Sequence, residues 1–212
     1  MKGIKFNDLH SYRDLKLILA SKEIGSPEPK IRQIEVEGAD GSLDQTEYFG
    51  EVKYENVKHK FDFSTMVLQT EFLSLFSTVK NALHGKKVRV ILDDDPNFYY
   101  VGRLSVSPFT SSRGIGNLSI EAECEPYKYK LKKTVVSQAV SGTTVIRLTN
   151  GRKRAVPTIT TTAAMTIAFG EFTWTTSAGT FVLPELELTE GINDVSVTGV
   201  GNIRFEWQEG DL

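Results

Sequence analysis

Apolar and polar residues alternate through much of this chain. Val57, His59, Phe61 and Phe63 alternate with Lys58, Lys60 and Asp62, and Leu118, Ile120, Ala122 and Cys124 alternate with Ser119, Glu121, Glu123 and Glu125. A period of two marks a strand with one face in a core and the other in water. The same reading predicts strands over residues 31–37, 88–92, 98–106, 144–148, 165–169, 181–183, 195–198 and 203–207. Strands of this kind belong to antiparallel sheets with one wet face, and no strand-helix repeat suggests a parallel sheet.

One segment has a different period. Phe72, Leu75, Phe76, Val79 and Leu83 follow helical spacing, with Thr70 as N-cap, Glu71 in the first turn, and Lys80, His84 and Gly85 at the far end. An apolar stripe of this width predicts a helix packed on a sheet. The chain after it, Leu83 to Leu104, reads as a helix stop at Gly85, a β-rich run to Leu92, a turn at Asp95-Pro96-Asn97, and a second β-rich run through Tyr99 and Tyr100. The fold class is therefore mainly β with one α-helix.

Length and composition bound the rest. With 212 residues the chain suits one large β domain or two smaller ones, and 40% hydrophobic residues suffice for packed cores. A net charge of −2 supplies no overall field to hold nucleic acid or an anionic membrane, so neither is an expected partner. Residues Lys2, Lys5 and Asp8 put charge where a signal peptide needs an apolar core, and no apolar run approaches bilayer length. Synthesis and retention in the cytoplasm is the expectation, until something larger releases the protein. One cysteine, Cys124, excludes an internal disulfide and a cysteine-based metal cluster.

Composition shifts near residue 132, where a lysine-rich ending gives way to a threonine- and glycine-rich remainder that is net acidic. We place a domain boundary there, giving domains 1–133 and 134–212. The second is near the size at which a sandwich just buries enough surface to fold alone. Ser141-Gly142, Asn150-Gly151, Ala178-Gly179, Glu190-Gly191 and Gly199-Val200-Gly201-Asn202 read as its turns.

The chain offers little catalytic chemistry. Asp93-Asp94-Asp95 invites a metal, but consecutive residues of an extended segment point to opposite faces, so a hairpin end is the simpler reading. Gly114-Ile115-Gly116-Asn117 and Gly199-Val200-Gly201-Asn202 look like phosphate loops, yet each runs into a strand pattern where an anion site needs a helix, and both read as hairpin turns. His10, His59 and His84 have no metal-ligand spacing, and no nucleophile elbow is present. His59 shares the inward parity of Phe61; His84 sits where a cation favours a helix C-terminus. Cys124 shares the parity of Leu118 and Ile120 and reads as a buried small hydrophobe. No catalytic, cofactor-binding or metal-ligating residue is assigned, and no cofactor is expected.

Two features keep alternatives open. Arg152-Lys153-Arg154 reads as an exposed hairpin end whose charges discourage edge pairing, or as a contact for an acidic partner or wall-polymer phosphates. Trp207 falls in the alternating set with Ile203 and Phe205 and reads as core, while Trp174 among threonines reads as core or as a sugar-stacking platform.

The string Gly85-Lys86-Lys87-Val88-Arg89-Val90-Ile91-Leu92-Asp93-Asp94-Asp95-Pro96-Asn97-Phe98-Tyr99-Tyr100-Val101-Gly102-Arg103 resembles a signature of the distal tail (Dit) proteins of long-tailed phages. Phe6-Asn7 with His10-Ser11 resembles their opening. Gly38-Ala39-Asp40-Gly41-Ser42-Leu43-Asp44-Gln45-Thr46 is similar to one of their loops, and Cys124-Glu125-Pro126-Tyr127-Lys128-Tyr129 to their first-domain ending. Asn150-Gly151 with Ala155-Val156-Pro157, and Phe205-Glu206-Trp207-Gln208-Glu209-Gly210-Asp211-Leu212, resemble parts of their second domain, with Gln208 where an arginine is usual.

The resemblance implies a non-enzymatic structural protein of the virion tail tip. It implies an N-terminal antiparallel β-sandwich or barrel-like domain with one helix, joining copies into a hexameric ring, and a C-terminal galectin-like jelly-roll sandwich outside. The implied partners are further copies of the chain, the tail tube protein and tape-measure end, the tail-associated lysin or spike, and receptor-binding proteins. The competing class is a carbohydrate-binding adhesion module working through the second domain at the host cell wall.

Overall fold

A computed structural model describes residues 2–48, 50–112 and 114–212. Its contacts divide the chain into two compact units, Met1–Lys128 with Leu212, and Tyr129–Asp211. Both are built from antiparallel strands, and one α-helix is present among the described residues.

The first unit contains β1 (Ile4–Phe6), β2 (Leu9–His10), β3 (Ile18–Ile24), β4 (Gln33–Glu35), β5 (Ser42–Asp44), β6 (Val57–Thr65), α1 (Phe72–Leu83), β7 (Lys87–Leu92), β8 (Phe98–Val106), β9 (Thr110–Ser112) and β10 (Ile115–Cys124). Its main sheet runs in the order β2-β1-β7-β8-β10-β6-β3, and β9 forms a short hairpin with β10. Parity along β6 and β10 is as the alternation predicts: Val57, His59, Phe61, Phe63 and Leu118, Ile120, Ala122, Cys124 all face inward. The sheet does not lie flat. β1 and β6 stand four places apart in strand order, yet the Phe6 ring meets both Phe61 and Phe63 edge-on at 6.4 Å. The sheet therefore curls until its two ends share one core, and Val79 and Leu83 of α1 enter the same core.

Local chemistry fixes the start of the chain. Asn7 takes a left-handed conformation (φ 51°) in the β1-β2 turn, and its Oδ1 accepts the Arg89 N–H at 2.9 Å. Buried Ser11 Oγ accepts the Ile4 N–H at 3.1 Å, and His10 Nε2 meets Asp93 Oδ2 at 3.0 Å. Thr70 is not the helix N-cap. A 3-10 turn over Gln69–Glu71 precedes α1, Glu71 holds the cap position with helical dihedrals, and no side chain caps it. The far end behaves as expected, with Gly85 at φ 75° just after the His84 cap.

The second unit holds β11 (Lys128–Lys130), β12 (Thr134–Asn150), β13 (Thr158–Thr161), β14 (Met165–Phe169), β15 (Phe172–Thr176), β16 (Gly179–Val182), β17 (Gly191–Trp207) and β18 (Gly210–Asp211). Two expected turns are not turns. Ser141-Gly142 lies inside β12 and Gly199-Val200-Gly201-Asn202 inside β17, and these two 17-residue strands pair along their whole length. On its other side β17 pairs twice: with β14 through residues 196–199, and with β13 through 203–206.

Parity explains the glycines. Val195, Val197, Ile203, Phe205 and Trp207 all face one core, so Gly199 and Gly201 occupy inward positions between its two halves. A Cβ at Gly201 would stand 2.8 Å from Thr162 Oγ1 and 3.1 Å from Met165 Cε, and one at Gly199 3.0 Å from Met165 Cγ. Both residues have positive φ, 156° and 146°. The glycines let one long ribbon fold over so that its own apolar face forms a sandwich. Trp207 is buried as core, and its indole N–H donates to Asn150 Oδ1 at 3.1 Å. The chain ending is tied in as well, since Gln208 Nε2 donates to Lys130 O at 2.6 Å and the buried Glu209 pairs with Lys130 at 2.8 Å.

Replacing Gly201 by valine adds bulk to a closed space and forces a β-branched residue to positive φ. Chemical denaturation should show a loss of at least about 2 kcal/mol, while Val200→Thr, at an exposed position one residue away, should stay within about 0.5 kcal/mol.

Cys124 is fully buried opposite Gly102, and burial followed by the charge of Glu125 pushes its thiol up to about 12. A bulky thiol reagent at mildly alkaline pH should label the native protein far more slowly than the denatured chain, read by intact mass.

Candidate assembly surface

The feature that stands apart from both cores is an arm at residues 25–56, between β3 and β6. It leaves the sheet at Gly25, where an added Cβ would lie 2.5 Å from Lys58 O, so only glycine permits this approach to β6. The Gly25 N–H donates to His59 Nδ1 at 3.2 Å. Going outward, Glu55 N–H donates to Glu28 O, Pro29 bridges Tyr54, and Lys30 N–H donates to Lys53 O. Tyr54 packs edge-on against Tyr127 at 6.1 Å.

Beyond this root, β4 and β5 form a two-stranded ribbon in the register Gln33↔Asp44, Ile34↔Leu43, Glu35↔Ser42. The loop similar to a Dit signature is the tip and return of this ribbon. Gly38 and Gly41 supply the positive φ of the tip, and Asp44 Oδ1 accepts the Thr46 N–H at 2.8 Å while Thr46 Oγ1 accepts the Arg32 N–H at 3.1 Å. Hydrogen bonding from the Thr46 side chain, and then from its backbone N–H, holds the Asp44 carboxyl below its ordinary range. The strand expected over 31–37 shortens to three residues with both faces in water. Ile31, Ile34, Val36, Leu43 and Tyr48 are all exposed, Tyr48 to 71%. A second exposed apolar group comprises Met66 and Leu68, just before the 3-10 turn, and Leu73 at the start of α1.

The arm is also acidic. Residues 25–56 carry eight Asp and Glu against three Lys and Arg, a net −5, whereas residues 1–24 and 57–128 carry 14 Lys and Arg against 11 Asp and Glu, a net +3. An isolated two-stranded hairpin is marginal in water, and a contiguous apolar surface on one is a site of association.

The chemistry-bearing residues singled out in the sequence do not converge. Asp93 accepts the Gly3 N–H and meets His10; Asp94 pairs with Lys2 and Lys22, which hold its carboxyl down to about 2; Asp95 pairs with Lys128 at 3.4 Å. His84 Nδ1 accepts the Val106 N–H at 3.0 Å. Gly114 (φ 82°) precedes the Ser112↔Ile115 pair of the β9-β10 hairpin. The basic triplet is divided among partners: Arg152 with Glu190 at 2.7 Å, Lys153 with the Tyr129 hydroxyl at 2.8 Å, Arg154 with Glu187 at 2.9 Å. Trp174 packs against the second core, and its outer ring face stacks on Phe172 at 5.7 Å and 16°. No group of three or more His, Cys, Asp or Glu side chains is placed to hold a metal among the described residues, and none of their helices is long and apolar enough to cross a membrane.

No protein-family model matches the sequence, and no curated protein matches it. Among solved structures, the crystal structure of SPP1 Dit (gp 19.1), described as a paradigm of the hub adsorption apparatus in phages infecting Gram-positive bacteria, matches with a TM-score of 0.72. The match covers 100% of both chains at 14% identity. The chain has a Dit-like fold. At that identity the likeness is one of backbone architecture, carried by the mainly β, antiparallel arrangement.

His59 couples the arm to acid. The ring is buried, its Nε2 has no hydrogen-bond partner, and burial depresses its proton affinity below the ordinary 6.5. The unfolded chain then takes up the proton first, so the stability His59 confers is complete above pH 6.5 and is lost as pH falls toward the lower folded value. Denaturation midpoints between about pH 7.5 and 5 should fall more steeply for the wild type than for His59→Phe, which has no proton to take up.

Proposed function

We propose that this chain is the structural hub subunit of a siphophage or prophage tail tip, a non-enzymatic protein that joins copies of itself into a hexameric ring. The observation that carries the reading is the arm: an acidic ribbon on which Ile31, Ile34, Val36 and Leu43 are exposed. The full-length likeness to a phage hub protein supports the same role. A ring needs head-to-tail contacts between two different surfaces. The arm is one, and the more basic remainder of the first unit, with the exposed Met66, Leu68 and Leu73, offers the complement on the next copy.

In this reading residues 1–133 form the ring, with the tail tube and tape-measure end on one side and the tail-associated lysin or spike on the other. Residues 134–212 form an outer galectin-like sandwich that anchors receptor-binding proteins. The protein resides at the virion tail tip. The competing reading, a carbohydrate-binding module, rests on the stacked Phe172–Trp174 pair, with Phe172 51% exposed on edge strand β15. Tight binding of wall glycan that disappears with Trp174→Ala would favour it.

Light scattering over a concentration series should show the wild type approaching six-fold masses, since ring closure follows mass action. Ile34→Glu with Leu43→Glu should leave a folded but unassembled chain. A wild type that remains monomeric throughout, alone and with a neighbouring tail protein, would defeat the ring reading.

A further inference from the structure

The arm is tied to the sheet of the first unit through a histidine. β3 and β6 pair as far as Ile24↔His59, and the ladder ends there. Gly25, the next residue, donates its N–H to His59 Nδ1 at 3.2 Å. The bonds that follow, Glu55 N–H to Glu28 O and Lys30 N–H to Lys53 O, join one leg of the arm to the other and not to the sheet. A backbone N–H can only donate, so Nδ1 offers its lone pair and the proton of the neutral ring sits on Nε2. That Nε2 is buried and has no hydrogen-bond partner among the described residues.

We infer that His59 is an acid-operated latch: a second proton on its ring displaces the Gly25 N–H and frees the arm from the sheet while both cores stay folded. The proton has one place to go, since Nε2 already carries one and Nδ1 is where the Gly25 N–H points. Two donors then face each other. Gly25 cannot retreat inward, because even a Cβ there would stand 2.5 Å from Lys58 O on β6. It moves outward, and water reaches Nδ1.

Among the described residues no carboxylate faces the ring to hold an imidazolium, and burial alone sets its proton affinity. From β8 the Tyr100 ring meets it edge-on at 4.4 Å, and on β10 Cys124 lies two residues from Ala122, the register partner of His59. Burial pushes both of these groups up, for Tyr100 with the charge of Asp95 added, so neither is an anion near neutral pH. On β3, Lys22 is engaged by Asp94, and Glu23 pairs in register with Lys60. Lys58 and Lys60 on β6, and Glu121 and Glu123 on β10, project to the opposite face. From the arm, Glu55 pairs with Lys30 and Glu28 is exposed. The ring therefore takes a proton more readily with the arm open than closed, and acid shifts the population toward the open arm. With an ordinary histidine value of about 6.5 in the open form, opening rises by up to about thirty-fold between about pH 7.5 and 5.

The latch acts within one chain and does not depend on the ring. Hydrogen exchange read by mass spectrometry tests it, on dilute protein whose light-scattering mass is the same at every pH, with each rate divided by that of the unstructured chain at that pH. Peptides covering residues 25–35 and 50–56 should open more as pH falls, while peptides of β10 and β17 keep their protection. His59→Gln retains an acceptor for the Gly25 N–H and takes up no proton, so its arm should stay closed at every pH. His59→Phe has neither property, and its arm should be open at every pH. Should His59→Gln fail to fold, the wild-type contrast between arm and β10 decides alone. The latch is refuted if protection of the wild-type arm does not change with pH, if arm and β10 open together, or if His59→Gln keeps the wild-type pH dependence.

Discussion

A sheet with one apolar face has to bring that face against something, and in both units the sheet brings it against itself. In the first unit the closure is made by rings: Phe6 reaches across four strand positions to Phe61 and Phe63, with α1 closing the core. In the second it is made by the absence of side chains, where Gly199 and Gly201 stand at inward positions and let β17 contribute to both layers. Everything else in the two units, from the parity of the strands to the burial of Trp207 and Cys124, presupposes that folding over.

The parity of the strands was legible because alternation encodes which side is dry. Residues 57–63 and 118–124, the strands at 98–106 and 165–169, and the helix beginning at Phe72 all follow from periodicity. What periodicity does not encode is the direction of the chain between two in-phase runs. Gly199-Val200-Gly201-Asn202 reads as a turn because glycine serves turns and bends alike, yet Val197 and Ile203 keep the same parity across it, a continuity that points to one bent strand. Thr70 failed as a cap for a related reason, since a 3-10 turn supplies a local backbone alternative that no side-chain rule foresees.

The surface proposed for assembly was half legible. The loop from Gly38 to Thr46 carries its own turn chemistry, and the structure turns that into a ribbon tip. The pattern of Ile31, Ile34 and Val36 indicates a strand, but a pattern cannot say whether the covering partner lies in the same chain. The basic triplet shows a different limit: adjacent in sequence, its side chains turn to Glu190, Tyr129 and Glu187. Motifs that resemble those of distal tail proteins resolve into local ties: Asn7 into a turn, Trp207 into an indole bond to Asn150, and Glu209 into a pair with Lys130.

The arm has one more consequence, for the fate of a copy that finds no neighbours. Residues 28–44 are all exposed, and Lys30 and Arg32 lie within that stretch. That is the kind of segment a protease cleft accepts, while the two curled cores beside it are not. In the proposed ring, burial of the arm on a neighbour removes the cleavage site at the moment of incorporation. On that reading, an unassembled copy is the one left open to cleavage there.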